Sequence, residues 1–307
     1  METWIILAAF VAPIAFSLIN FFDKFLIDKI STPKSLFAFS GLFTFVIALI
    51  VFVYAKTTGK FISIPAEDIF ILILSGVMQL SWVYLYLKAL SVDESEVSSV
   101  IPWFEFVGVF TFFLAYFILG ETLTANNLVN IGMIIFGGIL LSVDFSQKFR
   151  FRKESFYMLC ASFIIALSFI LFKESTPGSS EFVTSAFWAQ IGMGLTGLFV
   201  VIFFKSFRTE LIEMIQKNGK KVLRINILNE VLNGIGLLAV GYAVLQTEAA
   251  KVMAFGSTQS FYVLLFGIIG SVLFPKYIQE NHTIKSVVPK VIAIAFMVIG
   301  GFLLQWN

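Results

Sequence analysis

Long apolar runs separated by short polar segments follow one another along the whole chain. A helix needs about 20 apolar residues to cross a bilayer, and the runs approach or exceed this length. They lie at residues 4–22, 36–55, 69–90, 96–119 and 127–143, and then at 156–172, 182–204, 225–245, 250–274 and 287–305. β-Barrel strands would alternate apolar and polar residues over about ten positions, and these runs do not. The pattern predicts an all-α integral membrane protein with ten transmembrane helices.

Composition agrees with a membrane protein and weighs against several other classes. Hydrophobic residues make up 59% of the 307 residues and charged residues 13%, whereas a soluble domain has about 25% charged residues. The net charge of +2 gives no reason to expect a nucleic-acid partner. One cysteine, Cys160, and one histidine, His282, do not suffice for a disulfide, a multi-cysteine metal site or a haem site. We therefore expect no cofactor and no metal.

The two halves of the chain repeat each other when residue n is aligned with residue n+154. The aligned pairs include Gln79 with Asn233, Ala89 with Ala243, Glu94 with Glu248 and Glu105 with Gln259. Chance alignment of apolar helices is the alternative. A repeat of five helices is odd-numbered, so its second copy enters the membrane in the opposite sense, as in many transporters that bind substrate between their repeats. We predict two inverted five-helix repeats, residues 1–147 and 148–307.

Several short motifs of the first half together resemble the EamA domain of the drug/metabolite transporter (DMT) superfamily. In chain order they are Ala89-Leu90-Ser91, Pro102, Gly120-Glu121, Gly132 and Gly137-Gly138. The resemblance implies two EamA-like domains and a secondary transporter, with export favoured over uptake. The second half departs from the pattern at Gly256, where proline is expected, and at Phe274-Pro275, where Gly-Glu is expected. These departures leave the substrate open.

Polar residues within the apolar runs fall on single helical faces. Such residues are costly in hydrocarbon and normally face the bundle interior or a water-filled cavity. On the eighth run, Asn226, Asn229, Glu230 and Asn233 fall within an arc of about 100°. The first, third, fourth and ninth runs carry stripes that include Ser17, Asn20, Lys24, Ser75, Gln79, Trp82, Tyr86, Ser98, Glu105, Gln259 and Ser260. We predict that they line one cavity; hydrogen bonding between helices is the alternative.

Two carboxylates within the runs are candidates for coupling transport to protons. Glu105 lies in the middle of the fourth run and Glu230 near the start of the eighth. An intramembrane carboxyl group can carry a proton or recognise a cationic group of a substrate. For Glu230 the alternative is an ion pair with Arg224 near the headgroups. Glu121, at the expected start of the fifth helix, is interpreted as structural, because a carboxylate favours that end of a helix.

Other features predict local structure. Gly192, Gly194 and Gly197 predict close packing of the seventh helix. Pro102 predicts a kink in the fourth helix, because proline removes a helical hydrogen bond. The loop 205–224 is predicted to form an amphipathic helix at the membrane surface through Phe207, Leu211 and Ile215.

The expected function is secondary transport of a small organic metabolite by alternating access. An amino acid, an amine or a related compound suits Glu105 and Glu230. A nucleotide sugar or phosphorylated metabolite is the alternative substrate, although it would need buried Lys or Arg. A membrane scaffold, a receptor or an intramembrane enzyme remains as another class, but enzyme motifs are absent from the sequence. We expect a monomer or weak homodimer in the lipid bilayer of a bacterial cytoplasmic membrane.

The distribution of basic residues and the family resemblance predict opposite orientations in the membrane. The loops after the odd-numbered runs contain 17 of the 21 lysine and arginine residues. Short cytoplasmic loops are enriched in these residues, so the charges predict that these loops are cytoplasmic and that both termini are outside. The family resemblance implies that both termini are inside.

Overall fold

The computed structural model describes residues 7–92, 95–120, 125–142, 153–176, 178, 180–246, 249, 252, 256, 258–273 and 284–306. Within these ranges the chain is almost entirely helical and contains no β-strand. Glu121, Phe274-Pro275 and His282 lie outside the described residues, so the predictions for them are not addressed by the fold.

Long helices occupy the predicted apolar runs. They are α1 (Ala12–Lys29), α2 (Pro33–Thr57), α3 (Ala66–Leu90), α4 (97–119), α5 (Ala125–Ser142), α6 (Lys153–Glu174), α7 (Phe182–Phe203), α8 (Val222–Gln246), α9 (Thr258–Leu273) and α10 (Ile284–Trp306). A surface helix at residues 205–218 precedes α8, and Gly219, with a φ of +58°, breaks the helical backbone between them.

Six of the described helical segments are long and apolar enough to cross a membrane. They belong to α2, α3, α4, α6, α7 and α8, and shorter apolar segments lie within α9 and α10. The chain is therefore an all-α, multi-pass membrane protein. The total of ten spans remains a prediction.

Helix α1 continues beyond the apolar run that predicted it. The run ends at Phe22, whereas α1 ends at Lys29. Asp23 is buried in the bundle, and Lys24 is held by the carbonyl oxygen of Leu90 at 3.0 Å. Polar partners on neighbouring helices thus allow charged residues to extend a helix that apolarity alone would end.

Helix α4 changes its winding next to a candidate residue. It consists of an α-helical turn (Val97–Val100), a 3₁₀ segment (Ile101–Phe104), an α-helix (Glu105–Leu114) and a π-helical turn (Ala115–Leu119). Pro102 lies in the 3₁₀ segment and lacks a backbone N–H. The irregularity predicted from Pro102 is therefore present as a tighter segment that ends where Glu105 begins the regular helix.

The helices pack through small residues at several crossings. Helix α7 contacts α2 and α3, and α5 contacts α10. A Cβ atom at Gly197 would lie 2.6 Å from Cα of Gly41, and one at Gly194 would lie 2.7 Å from the Phe45 ring. The close packing predicted for the α7 glycines is confirmed.

The surface helix is fastened to the loop between α1 and α2. Glu210 accepts hydrogen bonds from Lys34 Nζ at 2.8 Å and Thr32 Oγ1 at 2.5 Å. Burial acts to raise the pKa of Glu210, but these two hydrogen bonds and the nearby lysine charge hold that pKa below its usual value. A helix is present at the predicted position, but Leu211, predicted to face the membrane surface, is buried against the protein.

Contacts between loops define the two ends of the bundle. At one end Lys24 of α1 meets the end of α3 at Leu90, and Lys290 of α10 meets Glu96 just before α4. The surface helix lies at this end, because it binds the α1–α2 loop. At the other end, the backbone N–H of Ile62 donates to Thr184 Oγ1 at 3.0 Å. In these contacts, the loops that follow odd-numbered helices lie at one end of the bundle, and the loops that follow even-numbered helices lie at the other.

Candidate functional site

A cavity of about 120 Å³ lies among α1, α3, α4, α8 and α9, with additional walls from α2 and α6. Its polar lining residues are Asn20, Asp23, Ser40, Trp82, Tyr86, Glu105, Asn226, Asn229, Glu230, Asn233, Gln259 and Ser260. The remaining wall is apolar and includes several aromatic rings. The cavity is thus formed jointly by helices from both halves of the chain.

Most of the residues predicted from the polar stripes meet at this cavity. They are Asn20, Trp82, Tyr86, Glu105, Asn226, Asn229, Glu230, Asn233, Gln259 and Ser260. The stripe on α8 lies there in full, because its members share one face of a regular helix. Glu230 is buried at the cavity, whereas Arg224, its partner in the alternative interpretation, is exposed.

Two predicted serines lie outside the cavity and have backbone partners. Ser17 donates to the carbonyl oxygen of Pro13 at 2.7 Å. Ser75 donates to the carbonyl oxygen of Ser168 at 2.9 Å and thereby joins α3 to α6. A serine hydroxyl group can donate its hydrogen bond to a backbone carbonyl oxygen in this way. Ser17 therefore bonds within its own helix and Ser75 bonds between helices, and neither lines the cavity.

Lys24 and Ser98 also lie outside the cavity, near the end of the bundle. Lys24 forms an ion pair with Asp28 at 3.0 Å in addition to its bond to the α3 terminus. Ser98 accepts a hydrogen bond from Lys290 at 2.8 Å. Both residues connect helix ends.

Gln79 lies on a different, smaller cavity. That cavity has a volume of about 20 Å³ and also contacts Gln190 and Phe172. Although the repeat aligns Gln79 with Asn233, only Asn233 reaches the larger cavity.

Asp23 is the centre of a hydrogen-bonded group that joins three helices. Asn229 Nδ2 of α8 donates to Asp23 Oδ1 at 2.6 Å. The hydroxyl oxygen of Tyr86, on α3, lies 3.0 Å from Asp23 Oδ2 and 2.9 Å from Asn20 Oδ1. A tyrosine has one hydroxyl proton to donate, so both contacts of the Tyr86 hydroxyl group are hydrogen bonds when Asp23 is protonated or when the Asn20 amide nitrogen faces Tyr86.

The other two carboxylates each link helices across the cavity. Glu105 Oε1 accepts a hydrogen bond from Ser260 Oγ at 2.6 Å, which joins α4 to α9. Glu230 accepts a hydrogen bond from Ser40, which joins α8 to α2. Asp23, Glu105 and Glu230 expose only 7%, 6% and 4% of their surfaces. All three carboxylates are therefore removed from bulk water.

The charge lining the cavity is of one sign. Among the described residues that line it there are three carboxylates and no lysine, arginine or histidine. A buried carboxylate without a counter-charge is costly. The site is therefore stabilised when protons or a cationic group of a ligand neutralise these carboxylates.

Three aromatic residues of the cavity wall, Trp82, Tyr86 and Phe104, pack against one another and are called the aromatic corner. The Trp82 ring centroid lies 5.3 Å from that of Phe104, edge to face, and 5.8 Å from that of Tyr86. The Phe104 and Tyr86 centroids are also 5.8 Å apart. Ring faces attract cations, so this corner and the carboxylates favour the same charge in a ligand.

Sequence reasoning missed two polar residues of the cavity. Asp23 stands directly after the first apolar run, where the predicted stripe continues from Asn20 to Lys24. Because Asp23 lies three positions after Asn20, it shares that side of the helix as well, and this spacing could have identified it. Ser40 is a single hydroxyl within an apolar run and carries no comparable signal.

The stripe on α8 makes a prediction about solvent access. In a Cys160→Ser background, single cysteines at Asn226, Asn229 and Asn233 should react with a small hydrophilic thiol reagent. The reaction should be at least about tenfold faster than at lipid-facing sites, because the thiolate is the reactive form and needs water to exist. Labelling rates in native membranes provide the measurement.

The same helix offers matched controls for this labelling. Leu228 and Ile235 lie on α8 with about half of their surfaces exposed outside the bundle. Cysteines at these two positions should stay slow. Equal rates on both faces of α8 would show that the polar stripe is dry packing between helices.

Comparison with known proteins gives matches of two kinds. The EamA-like transporter family model matches residues 3–143. A solved structure described as "Crystal structure of protein" is similar with a TM-score of 0.59 at 14% identity, and the match covers 95% of each chain. At this identity the similarity concerns the fold alone. No curated protein matches this chain.

Proposed function

We propose that the chain is a secondary transporter of a small organic metabolite, because residues 3–143 match the EamA-like transporter family model. The substrate class is an amino acid, an amine or a related amphipathic compound, and the direction is export. The observation that carries this proposal is the cavity formed by helices of both halves, with its acidic groups and aromatic rings. A phosphorylated substrate suits this cavity poorly, since no described basic residue lines it.

The proposed architecture is ten spans in two inverted repeats of five helices. A two-fold axis in the membrane plane would exchange α1 with α6, α2 with α7, and so on to α5 with α10. The observed packing follows these exchanges: α3 contacts α6 as α8 contacts α1, and α3 contacts α7 as α8 contacts α2. The pairs α2–α7 and α5–α10 are exchanged with themselves. This pattern supports the repeats inferred from the sequence.

Alternating access would act on the bonds that join the halves at the cavity. Asp23 to Asn229 connects α1 with α8, and Glu105 to Ser260 connects α4 with α9. A substrate that competes for these carboxylates would weaken the bonds, and this differential interaction is what a ligand needs in order to shift a conformational equilibrium. Binding and opening would thereby be linked.

Proton coupling is proposed to use Glu105 and Glu230. Each carboxyl group is buried, lines the cavity and holds a hydroxyl group of another helix. Uptake of a proton changes a carboxylate from acceptor only to donor and acceptor. The hydrogen bonds across the cavity would therefore differ between the two protonation states, as coupled movement requires.

A screen of metabolite pools tests the proposed function. Pools that raise the melting temperature of the purified protein are divided into single compounds, and each is tested for saturable uptake into proteoliposomes. We expect at least one small organic compound to pass both steps. Stabilisation by compounds that are never transported would instead favour a receptor or scaffold.

The charge distribution predicts the orientation. The basic surface helix, Lys24 and Lys290 lie at the same end of the bundle, and basic loops favour the cytoplasm. A reporter that folds only in the cytoplasm should therefore stay dark when fused after Asn307. Fluorescence of that fusion in a bacterial cytoplasmic membrane, the proposed location, would show that the termini are inside and that the charges mislead.

A further inference from the structure

The cavity supplies three carboxylates for a positive charge on a ligand, but none of its described residues supplies a positive charge for a carboxylate. Its buried N–H groups without partners, Asn20 Nδ2 and Trp82 Nε1, are neutral. An α-carboxylate needs lysine, arginine or a group of N–H donors when it is removed from water. The described lining contains none of the basic side chains. The nearby Lys24 is occupied at the end of the bundle by Asp28, Ser95 and the Leu90 carbonyl. A zwitterion would therefore bury its carboxylate without a counter-charge.

Hydrogen-bond acceptors gather at one place on the wall. Asp23 presents its carboxylate between α1 and α8, and Glu230, the residue after Asn229 on α8, lines the same cavity. Asn229 donates its amide nitrogen to Asp23, and its Oδ1 is buried without a hydrogen-bond partner among the described residues. A primary ammonium group has three N–H donors and one positive charge, as Lys does. It would neutralise a buried carboxylate and donate a hydrogen bond to this Asn229 oxygen.

The aromatic corner adjoins this acceptor group. Tyr86 contributes both its hydroxyl group to Asp23 and its ring to the corner. Trp82 and Phe104 complete the corner and line the cavity. A ligand with an ammonium group at Asp23 would thus lay an apolar or aromatic body against Trp82 and Phe104.

We propose that the substrate is a small primary amine without a carboxylate, with its ammonium group at Asp23, Asn229 and Glu230 and its apolar body at Trp82 and Phe104. This inference rests on the proposed function and narrows it. At about 10–15 Å³ for each water-sized group, the cavity of about 120 Å³ holds roughly eight to twelve non-hydrogen atoms. An arylethylamine has this size, and a small branched alkylamine fits within it.

Matched pairs of compounds test the inference on the unaltered protein. 2-Phenylethylamine is compared with phenylalanine, and 3-methylbutylamine with leucine, because the members of each pair differ only by a carboxylate. Calorimetric titration at pH 7 should show the amine binding at least about tenfold more tightly in each pair. Equal or tighter binding of the amino acids would overturn the inference, and so would failure of both amines to bind.

Asp23→Asn identifies the position of the ammonium group. This variant removes the charge and keeps the shape, and it should weaken amine binding about ten- to hundredfold, as expected for loss of a charge-assisted hydrogen bond. Asp28→Asn is the matched control on α1, because Asp28 is a half-exposed carboxylate outside the cavity, and it should bind as the parent does. Unchanged binding by a folded Asp23→Asn variant would overturn the placement.

The outcomes separate this inference from the broader proposal. Saturable uptake of leucine or phenylalanine, together with their tighter binding, would leave a transporter that is not amine-selective. If an anionic metabolite showed saturable uptake and no amine did, the chain would likewise be a transporter that is not selective for amines. Absence of uptake for every stabilising compound would count against the transporter itself. If Asp23→Asn does not fold, the titrations on the unaltered protein still decide the inference.

Discussion

Replacing Glu105 by glutamine is expected to abolish proton-driven substrate accumulation while leaving the protein folded. The glutamine retains an oxygen that can accept the hydrogen bond now given by Ser260 Oγ at 2.6 Å, but it cannot exchange a proton. Replacing a charged acceptor by a neutral one costs about 1 kcal/mol, so the melting temperature in detergent should fall by no more than about 4 °C. Accumulation in proteoliposomes under an imposed pH gradient provides the measurement.

A matched variant separates this effect from a general loss of charge. Glu67 is an exposed carboxylate in the first turn of α3, away from the cavity. Glu67→Gln should transport at the parent rate. If Glu105→Gln transported with an unchanged rate and pH profile, Glu105 would be a packing residue and the coupling would lie elsewhere.

Replacing Gly192 by valine is expected to destabilise the protein by about 3 kcal/mol or more, the upper part of the range for overpacked sites. A Cβ atom there would lie 2.1 Å from the carbonyl oxygen of Ile73 on α3. The obstacle is backbone, so a change of rotamer cannot remove it, and α3 and α7 must separate. The reciprocal contact is equally close, since a Cβ atom at Gly76 would lie 2.0 Å from the Ala189 carbonyl oxygen.

Gly132 gives the contrasting case on α5. A Cβ atom there meets no atom of the described residues within 4 Å, and alanine is favoured over glycine in a helix by about 1 kcal/mol. Gly132→Ala should therefore leave the melting temperature unchanged or raise it. The comparison is the monodisperse yield and melting temperature of the two variants. A normal yield of Gly192→Val would mean that the α3–α7 contact is not needed for folding.

The positions of the helices could be predicted because a bilayer imposes one dominant requirement, a long apolar run. The run predicted at 182–204 and the helix Phe182–Phe203 agree closely for this reason. The length of the apolar run did not predict the end of α1, because Asp23 lies inside this helix and not in a loop. The hydropathy of a segment contains no information about a hydrogen-bond partner from elsewhere in the chain, such as Asn229 for Asp23.

The candidate site could be predicted where several polar residues share a helical face, as on α8. A shared helical face does not distinguish residues that line the cavity from residues that form hydrogen bonds between helices. Ser75 and Tyr86 belong to one stripe on α3, yet Ser75 bonds to the α6 backbone and Tyr86 reaches the cavity. A helical face points toward the bundle interior, but the interior holds both packed helices and the cavity. The distinction depends on how closely neighbouring helices approach at each level, which a single sequence does not encode in its periodicity.

Counterflow in proteoliposomes measures directly whether the chain carries a compound by alternating access. Vesicles are loaded with an excess of an unlabelled compound identified in the screen, and a trace of the labelled compound is added outside. A carrier exchanges one molecule for the other, so the label should accumulate transiently above its equilibrium level and then decline. Empty vesicles and Glu105→Gln, tested in parallel, report leakage and the dependence of exchange on that carboxyl group. A monotonic approach to equilibrium without transient accumulation would indicate a pore, and no protein-dependent entry would indicate a scaffold; either result would contradict transport by alternating access through the acidic cavity.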